Sequence, residues 1–305
     1  MDNLKITVVM ATYNGAKYLR EQLESIKNQS REPDEVLIFD DCSNDGGRTV
    51  EIVKSYIERN GLSSWSLIEN PYNLGWKKNF INGVKKANGD LIFLSDQDDV
   101  WSSNKIKRMV SIMESNSQIN LLCSNYSILN ERKRNVKSQC LCENDKLEQI
   151  KLTAKFHLVN RPGCTYCLRK DFALKAITCW VDDFAHDSLF WIAAAITNSL
   201  FCINTSLIRF RRHDCNASGN GHVKDKGLRR RLQKKELDVF RKLKDTFLLN
   251  ASFSKKRKKI LEEYECWAEK RINYLENKSF RVFLIVLRHV KYYSSWKSLL
   301  ADSLE

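Results

Sequence analysis

The chain has 305 residues, 43% of them hydrophobic and 29% charged, a composition that supports a packed core and excludes a disordered or collagen-like chain. This length accommodates one large α/β domain with an appendage, or two modest domains. The net charge of +14 is uneven, because residues 209–305 hold 25 Lys and Arg against 12 Asp and Glu, while the residues before them hold 26 against 25.

The first half alternates between short β-rich runs and helical patterns. Residues 4–10 are a β-branched run, and residues 16–28 follow with Leu19, Leu23 and Ile26 on one helical face. A second strand is predicted over 35–39, a helix over 49–59 and a third strand over 65–68. Residues 76–87 read as a helix, 90–94 as a fourth strand, 105–114 as a helix and 119–129 as a strand. Strands alternating with crossover helices imply a mostly parallel sheet covered by helices on both faces, the α/β class. Beyond a polar loop at 131–137, the pattern gives a strand at 164–168, a helix at 189–197 and a strand at 200–210 that runs into Arg211-Arg212-His213. A Gly- and Asn-rich loop at 216–227 precedes three helical segments, the last over 282–296.

In parallel sheets, ligands bind beyond the carboxyl ends of the strands. Here each end carries small, polar or acidic residues: Thr12-Tyr13-Asn14-Gly15, then Asp40-Asp41-Cys42-Ser43, then Asn73-Leu74-Gly75, then Asp96-Gln97-Asp98-Asp99. Three carboxylates crowded at one strand end repel one another unless a cation joins them. A divalent Mg²⁺ or Mn²⁺ shared with a diphosphate meets that need, and helix capping needs fewer than three Asp. At the second strand, Asp40 is the favoured binding carboxylate and Asp45-Gly46 reads as a turn.

Taken together and in this order, these four motifs resemble glycosyltransferase family 2, with its GT-A fold. The Asp-Gln-Asp-Asp-Val-Trp form is similar to bacterial enzymes that build O-antigen, capsule or rhamnan chains, rhamnosyltransferases among them. The resemblance implies a GT-A catalytic domain over 1–215, with a nucleotide-binding half (1–100) and an acceptor half (101–215), followed by a basic helical extension over 216–305. It implies that Thr12, Tyr13 and Asn14 line a nucleotide pocket with Gly75, that Asp40 meets the base and Asp41 the nucleoside, and that Asp96 and Asp98 touch ribose and metal. Asp187 is implied as the general base, with N-capping of the helix at 189–197 as its competing role. Arg211 and Arg212 are implied beside the diphosphate, and His213 as a metal ligand. The implied reaction is one inverting displacement, moving a sugar from a nucleoside-diphosphate donor (dTDP-rhamnose or a UDP-hexose) to a glycan hydroxyl, lipid-linked by expectation.

The remaining features bear on location and partners. No secretory leader is read at the N-terminus, and the longest apolar run of the tail, at 282–287, is too short to span a bilayer, so a cytoplasmic enzyme is expected. The basic tail, with Trp267, Tyr274, Tyr292, Tyr293 and Trp296, suits the inner face of a membrane. A nucleic-acid partner is not expected, since an acidic cluster repels phosphate. A nucleotidyltransferase is disfavoured too, because Thr-Tyr-Asn-Gly replaces the Gly-rich loop with Arg that such enzymes carry. Cys140, Cys142, Cys164 and Cys167 admit a structural zinc, with buried thiols the favoured reading.

Overall fold

The computed structural model describes residues 4–130, 144–213, 225–248 and 254–303. The predicted loop at 131–137, most of the loop at 216–227, and Cys140 and Cys142 lie outside the described residues.

The N-terminal elements are β1 (Ile6–Thr12), α1 (Leu19–Lys27), β2 (Glu35–Asp40), α2 (Arg48–Arg59), β3 (Trp65–Glu69), α3 (Trp76–Lys86) and β4 (Leu91–Ser95). They continue through β5 (Val100–Trp101), α4 (Lys105–Ser115), β6 (Leu121–Asn130), β7 (Leu147–Gln149), β8 (Tyr166–Arg169), α5 (Lys170–Ile177), α6 (His186–Ile196) and β9 (Leu200–Arg212). Four helices follow: α7 (Lys226–Leu248), α8 (Lys255–Asn277), α9 (Phe280–Arg288) and α10 (Trp296–Ser303). The strands form one mixed, mostly parallel sheet in the order β3-β2-β1-β4-β8-β6-β9-β5, with β7 paired to β9. The half from β3 to β4 is parallel, Val8 standing beside Val36 on one side and Phe93 on the other. Strand β8 then runs antiparallel to both β4 and β6.

Side chains alternate across a strand, so a run buried at every position must face two cores. In β1, Val9 joins a core with Phe80 of α3, Ala173 of α5 and Trp191 of α6. Its neighbours Val8 and Met10 join the opposite core with Leu23 of α1, Val53 of α2 and Met109 of α4. The first core continues without a break into the C-terminal helices through Phe240, Leu243, Tyr264 and Trp267.

Two local readings differ from the structure. The segment at 282–296 is not one helix: α9 ends at Arg288, a 3₁₀ turn covers Val290–Tyr292, and α10 starts at Trp296. The break turns Tyr292 and Tyr293 inward, where their hydroxyls donate to Ile260 O at 3.0 Å and Asp302 Oδ2 at 2.9 Å. Of the tail aromatics, Trp267, Tyr274, Tyr292 and Tyr293 are buried, while Trp296 stands exposed. The second difference is that α6 begins at His186 with Ala185 as its N-cap. Asp187 therefore sits in the first turn rather than at the cap.

Candidate active site

The carboxyl ends of β1, β2 and β4 open on a cavity of about 390 Å³. Its walls include Thr12, Tyr13, Asp41, Gly75, Asp96, Asp98, Asp187 and His213 from the residues marked in the sequence, with Trp76, Phe80 and Phe210 as apolar walls.

Asp41 builds one end of the cavity. Its Oδ1 accepts from Leu74 N at 2.8 Å and Asn70 Nδ2 at 2.9 Å, and its Oδ2 accepts from Gly75 N at 2.8 Å. The loop after β3 is thereby folded over the start of α3, with Gly75 at φ +81°, a left-handed position that favours glycine. Asp40, the favoured carboxylate by sequence, has its acceptors engaged below the cavity. It takes Thr12 Oγ1 at 3.1 Å, Ser43 N at 2.8 Å and Ser43 Oγ at 2.6 Å. Asn14 also faces away from this wall, exchanging hydrogen bonds with Asn44 at 2.7 and 2.9 Å.

Gln97, given no role in the sequence reading, ties two strand ends together. Tyr13 N donates to its Oε1 at 2.8 Å and its Nε2 donates to Tyr13 O at 3.0 Å. A methyl at Gly15 would stand 2.2 Å from that Oε1. Gly15→Ala is therefore expected to displace the Gln97 amide, costing about 1 kcal/mol of hydrogen bonding. Donor KM should rise about five-fold with little change in thermal midpoint; an unchanged KM would mean that the loops hold without Gln97.

The acidic motif divides by burial. His213 Nε2 lies 2.6 Å from Asp98 Oδ2, and both line the cavity. Burial first, then the Asp99 and Asp98 charges, holds the Asp96 carboxyl well above the ordinary carboxylate range. Asp99 is fully buried and accepts from Arg211 N at 3.0 Å. Beneath it Lys105, also fully buried, donates to Cys164 O at 3.1 Å and lies 3.4 Å from the Trp101 ring centre. Burial moves Asp99 up and Lys105 down, each toward its neutral form. Cys164 brings its sulfur within 4.8 Å of the carboxylate oxygens of Asp96 and Asp99. Burial pushes this thiol well up, so it remains protonated, as does the buried Cys167.

The short strand β5 explains how distant residues reach this motif. Val100 pairs with Arg209 and Trp101 with Ile208, which brings the end of β9 beside Asp98. Arg211 turns into the protein instead of toward the cavity. Its Nε donates to Asp98 O at 2.7 Å, its Nη2 meets Glu21 Oε2 at 2.5 Å, and its guanidinium lies over Tyr18. Arg212 lies over the Phe210 ring. Neither arginine is on the cavity wall. The resemblance implies both beside the diphosphate; strand pairing draws Arg211 under the acidic loop to Asp98 O and Asp99, and Arg212 stacks on Phe210 of the cavity wall.

Asp187 enters the opposite wall from α6, its Oδ1 accepting from Ser188 N at 2.7 Å. A helix N-terminus favours the ionised form, yet burial prevails and the pKa is raised above the ordinary 3.8. His186 beside it is buried between Trp76 and Phe80, and burial pushes its imidazole down to about 3, so it is neutral.

The glycosyl transferase family 2 model matches residues 7–178, more than half of the chain. The chain is 29% identical over 226 residues to the dTDP-rhamnosyl transferase RfbG of Shigella flexneri, covering 69% of this chain and 73% of that protein. Across three curated relatives the matched stretch spans 56%, 73% and 49% of the relative's own length. Among solved structures, the crystal structure of Staphylococcus aureus TarS 1–349 in complex with UDP-GlcNAc is similar with a TM-score of 0.66 at 19% identity, covering 98% of this chain and 89% of that one. The mannosyltransferase PcManGT from Pyrobaculum calidifontis, in complex with GDP-Man and Mn²⁺, follows with a TM-score of 0.55 at 14% identity, covering 99% and 85%. Those two likenesses fix the fold as GT-A, and with the family match the conclusion is plain: this chain is a glycosyltransferase and belongs to glycosyltransferase family 2.

Proposed function

We propose that the enzyme takes its sugar from a nucleoside-diphosphate donor, dTDP-rhamnose or a UDP-hexose, and adds it with inversion to a hydroxyl of a growing, lipid-linked bacterial surface polysaccharide. One observation carries the reading: Asp187 stands on the same cavity as the Asp98–His213 pair, so a proton acceptor and a candidate cation site face a single space. Similarity to a dTDP-rhamnosyl transferase supports the first donor, and similarity to a structure holding UDP-GlcNAc supports the second.

The residues present suit a divalent cation. A carboxylate oxygen and an imidazole nitrogen 2.6 Å apart, with Asp96 on the same wall, form a mixed set that suits Mn²⁺ better than the all-oxygen preference of Mg²⁺. Asp98, His213 and Asp96 would hold the ion, which when bound neutralises charge on the diphosphate as it leaves. The chain's own groups do the rest. Asp41 holds the loop of Leu74 and Gly75 so that the nucleoside meets a fixed wall. Trp76, Phe80 and Phe210 exclude water from the sugar, which suppresses hydrolysis. Asp187 accepts the proton of the acceptor hydroxyl as that oxygen attacks the anomeric carbon.

The test is a donor panel. Purified enzyme with Mn²⁺ is offered dTDP-rhamnose, UDP-glucose, UDP-GlcNAc and GDP-mannose, and release of nucleoside diphosphate is read. Release above background from a dTDP- or UDP-sugar alone is expected. Release confined to GDP-mannose, or none at all, would overturn the donor assignment.

A further inference from the structure

At the C-terminal end of the chain, apolar side chains point outward where a globular core would draw them in. Helix α9 reads Phe-Arg-Val-Phe-Leu-Ile-Val-Leu-Arg, yet among its residues only Val286 is buried. Phe280, Leu284 and Leu287, spaced four and three apart, share one face and are all exposed, Phe280 at 71%. Trp296 (65%) and Leu300 on α10 continue the exposed apolar surface. The two helices are tied to one another and to the helices beneath. Asp302 of α10 is fully buried and bridges Arg271 of α8 at 2.7 Å and Arg229 of α7 at 3.3 Å, and Lys278, two residues before α9, donates to Asp302 O at 2.5 Å. This surface is therefore part of the folded body rather than a fraying end.

Its charge has one sign. From Asn277 to Ala301 the sequence holds Lys278, Arg281, Arg288, Lys291 and Lys297 and no Asp or Glu. Arg281 and Arg288 lie one and eight residues beyond Phe280, so both project on the same flank of its face. Glu276 pairs with Lys234, away from this surface, while Glu263 pairs with Lys291 and neutralises it, which leaves Arg281, Arg288 and Lys297 as the basic flank. A compact apolar face with an arginine flank and an exposed Trp is the layout of a helix that lies in a headgroup region. Among the described residues, no helix is long and apolar enough to cross a membrane.

We propose that the α9–α10 face docks the enzyme on an anionic lipid surface, with Phe280, Leu284, Leu287 and Trp296 entering the headgroup–acyl boundary and the basic flank meeting lipid phosphates. An acidic protein or nucleic acid would match the charge but leave the Phe, Leu and Trp side chains without an apolar partner, whereas anionic lipid satisfies both. The inference is independent of the donor and acceptor proposed above.

The experiment uses the full chain with vesicles of pure phosphatidylcholine and of phosphatidylcholine with about 30 mol% phosphatidylglycerol. The protein is expected to float with the anionic vesicles and not with the neutral ones, and rising salt should weaken the binding. A Leu284→Asp/Leu287→Asp double variant should lose at least about ten-fold in vesicle affinity, since it removes two exposed apolar anchors and adds negative charge. Its donor hydrolysis and thermal midpoint should match those of the wild type, because both leucines are exposed and outside the catalytic cavity. The proposal is overturned if the wild type ignores anionic vesicles, or if the double variant binds them equally. It is also overturned if the wild type fails to bind vesicles but self-associates through these leucines, which would make a second copy the occupant.

Discussion

Asp98→Ala is expected to remove the Mn²⁺ dependence of donor binding and to lower kcat/KM by more than about 100-fold, beyond what loss of an outer-shell partner of a metal costs. The cation site needs the Asp98 carboxylate beside His213 Nε2. Its neighbour Asp96 is then the one carboxylate left beside the imidazole, and a set with one carboxylate holds Mn²⁺ more weakly than a set with two. Folding should survive the change, because Arg211 takes the backbone oxygen of residue 98, which alanine retains. The measurement is calorimetric titration of UDP and dTDP with and without Mn²⁺, which reads the site without turnover. Wild type should bind more tightly with Mn²⁺, Asp98→Ala should show no difference, and His213→Ala, which removes a direct ligand, should shift half-saturation by Mn²⁺ by more than about 100-fold. Tight Mn²⁺-dependent binding by Asp98→Ala would remove Asp98 from the site.

The parallel half of the sheet was legible because period and punctuation agree there. Continuous apolar runs such as Val8-Val9-Met10 and Leu91-Ile92-Phe93-Leu94 end in polar residues, and helices with a single apolar stripe separate them. The second half was harder to read for physical reasons. Strand β5 is two residues long, too short for any periodicity, yet its pairing with β9 brings His213 to Asp98. The sequence favours Asp40 over its neighbour Asp41, and strand geometry sets Asp41 on the cavity instead. Asp40 bonds to the turn at Ser43, while Asp41 reaches the loop at Leu74 and Gly75. Gln97 has no mark in the sequence, because an amide between carboxylates carries no charge signal and its role depends on a loop 84 residues away. The fate of Arg211 follows from a backbone carbonyl, which has no signature in a sequence. In the tail, aromatic content gives no means of separating the buried Tyr292 and Tyr293 from the exposed Trp296, because the difference is set by Ile260 O and Asp302, which take the two tyrosine hydroxyls.

Asp187→Asn tests the chemistry separately from donor binding. The substitution keeps the shape and retains an Oδ1 acceptor for Ser188 N, so α6 should start unchanged. It cannot take a proton. Loss of a general base costs about 10² to 10⁴ in rate, so kcat should fall by that factor while the dissociation constant of the donor stays within about two-fold. The pH profile supplies an independent readout. A base is active when ionised, and Asp187 has its pKa raised above 3.8 by burial. Acidification therefore removes the active form at a higher pH than for a solvated carboxylate, and kcat of the wild type should climb with pH along a limb displaced upward from the ordinary Asp range. In Asp187→Asn that limb should vanish, leaving a flat, low rate. If the variant kept both its rate and its acid limb, proton acceptance would belong to another group, and Asp187 would be left with the structural part it plays in the first turn of α6.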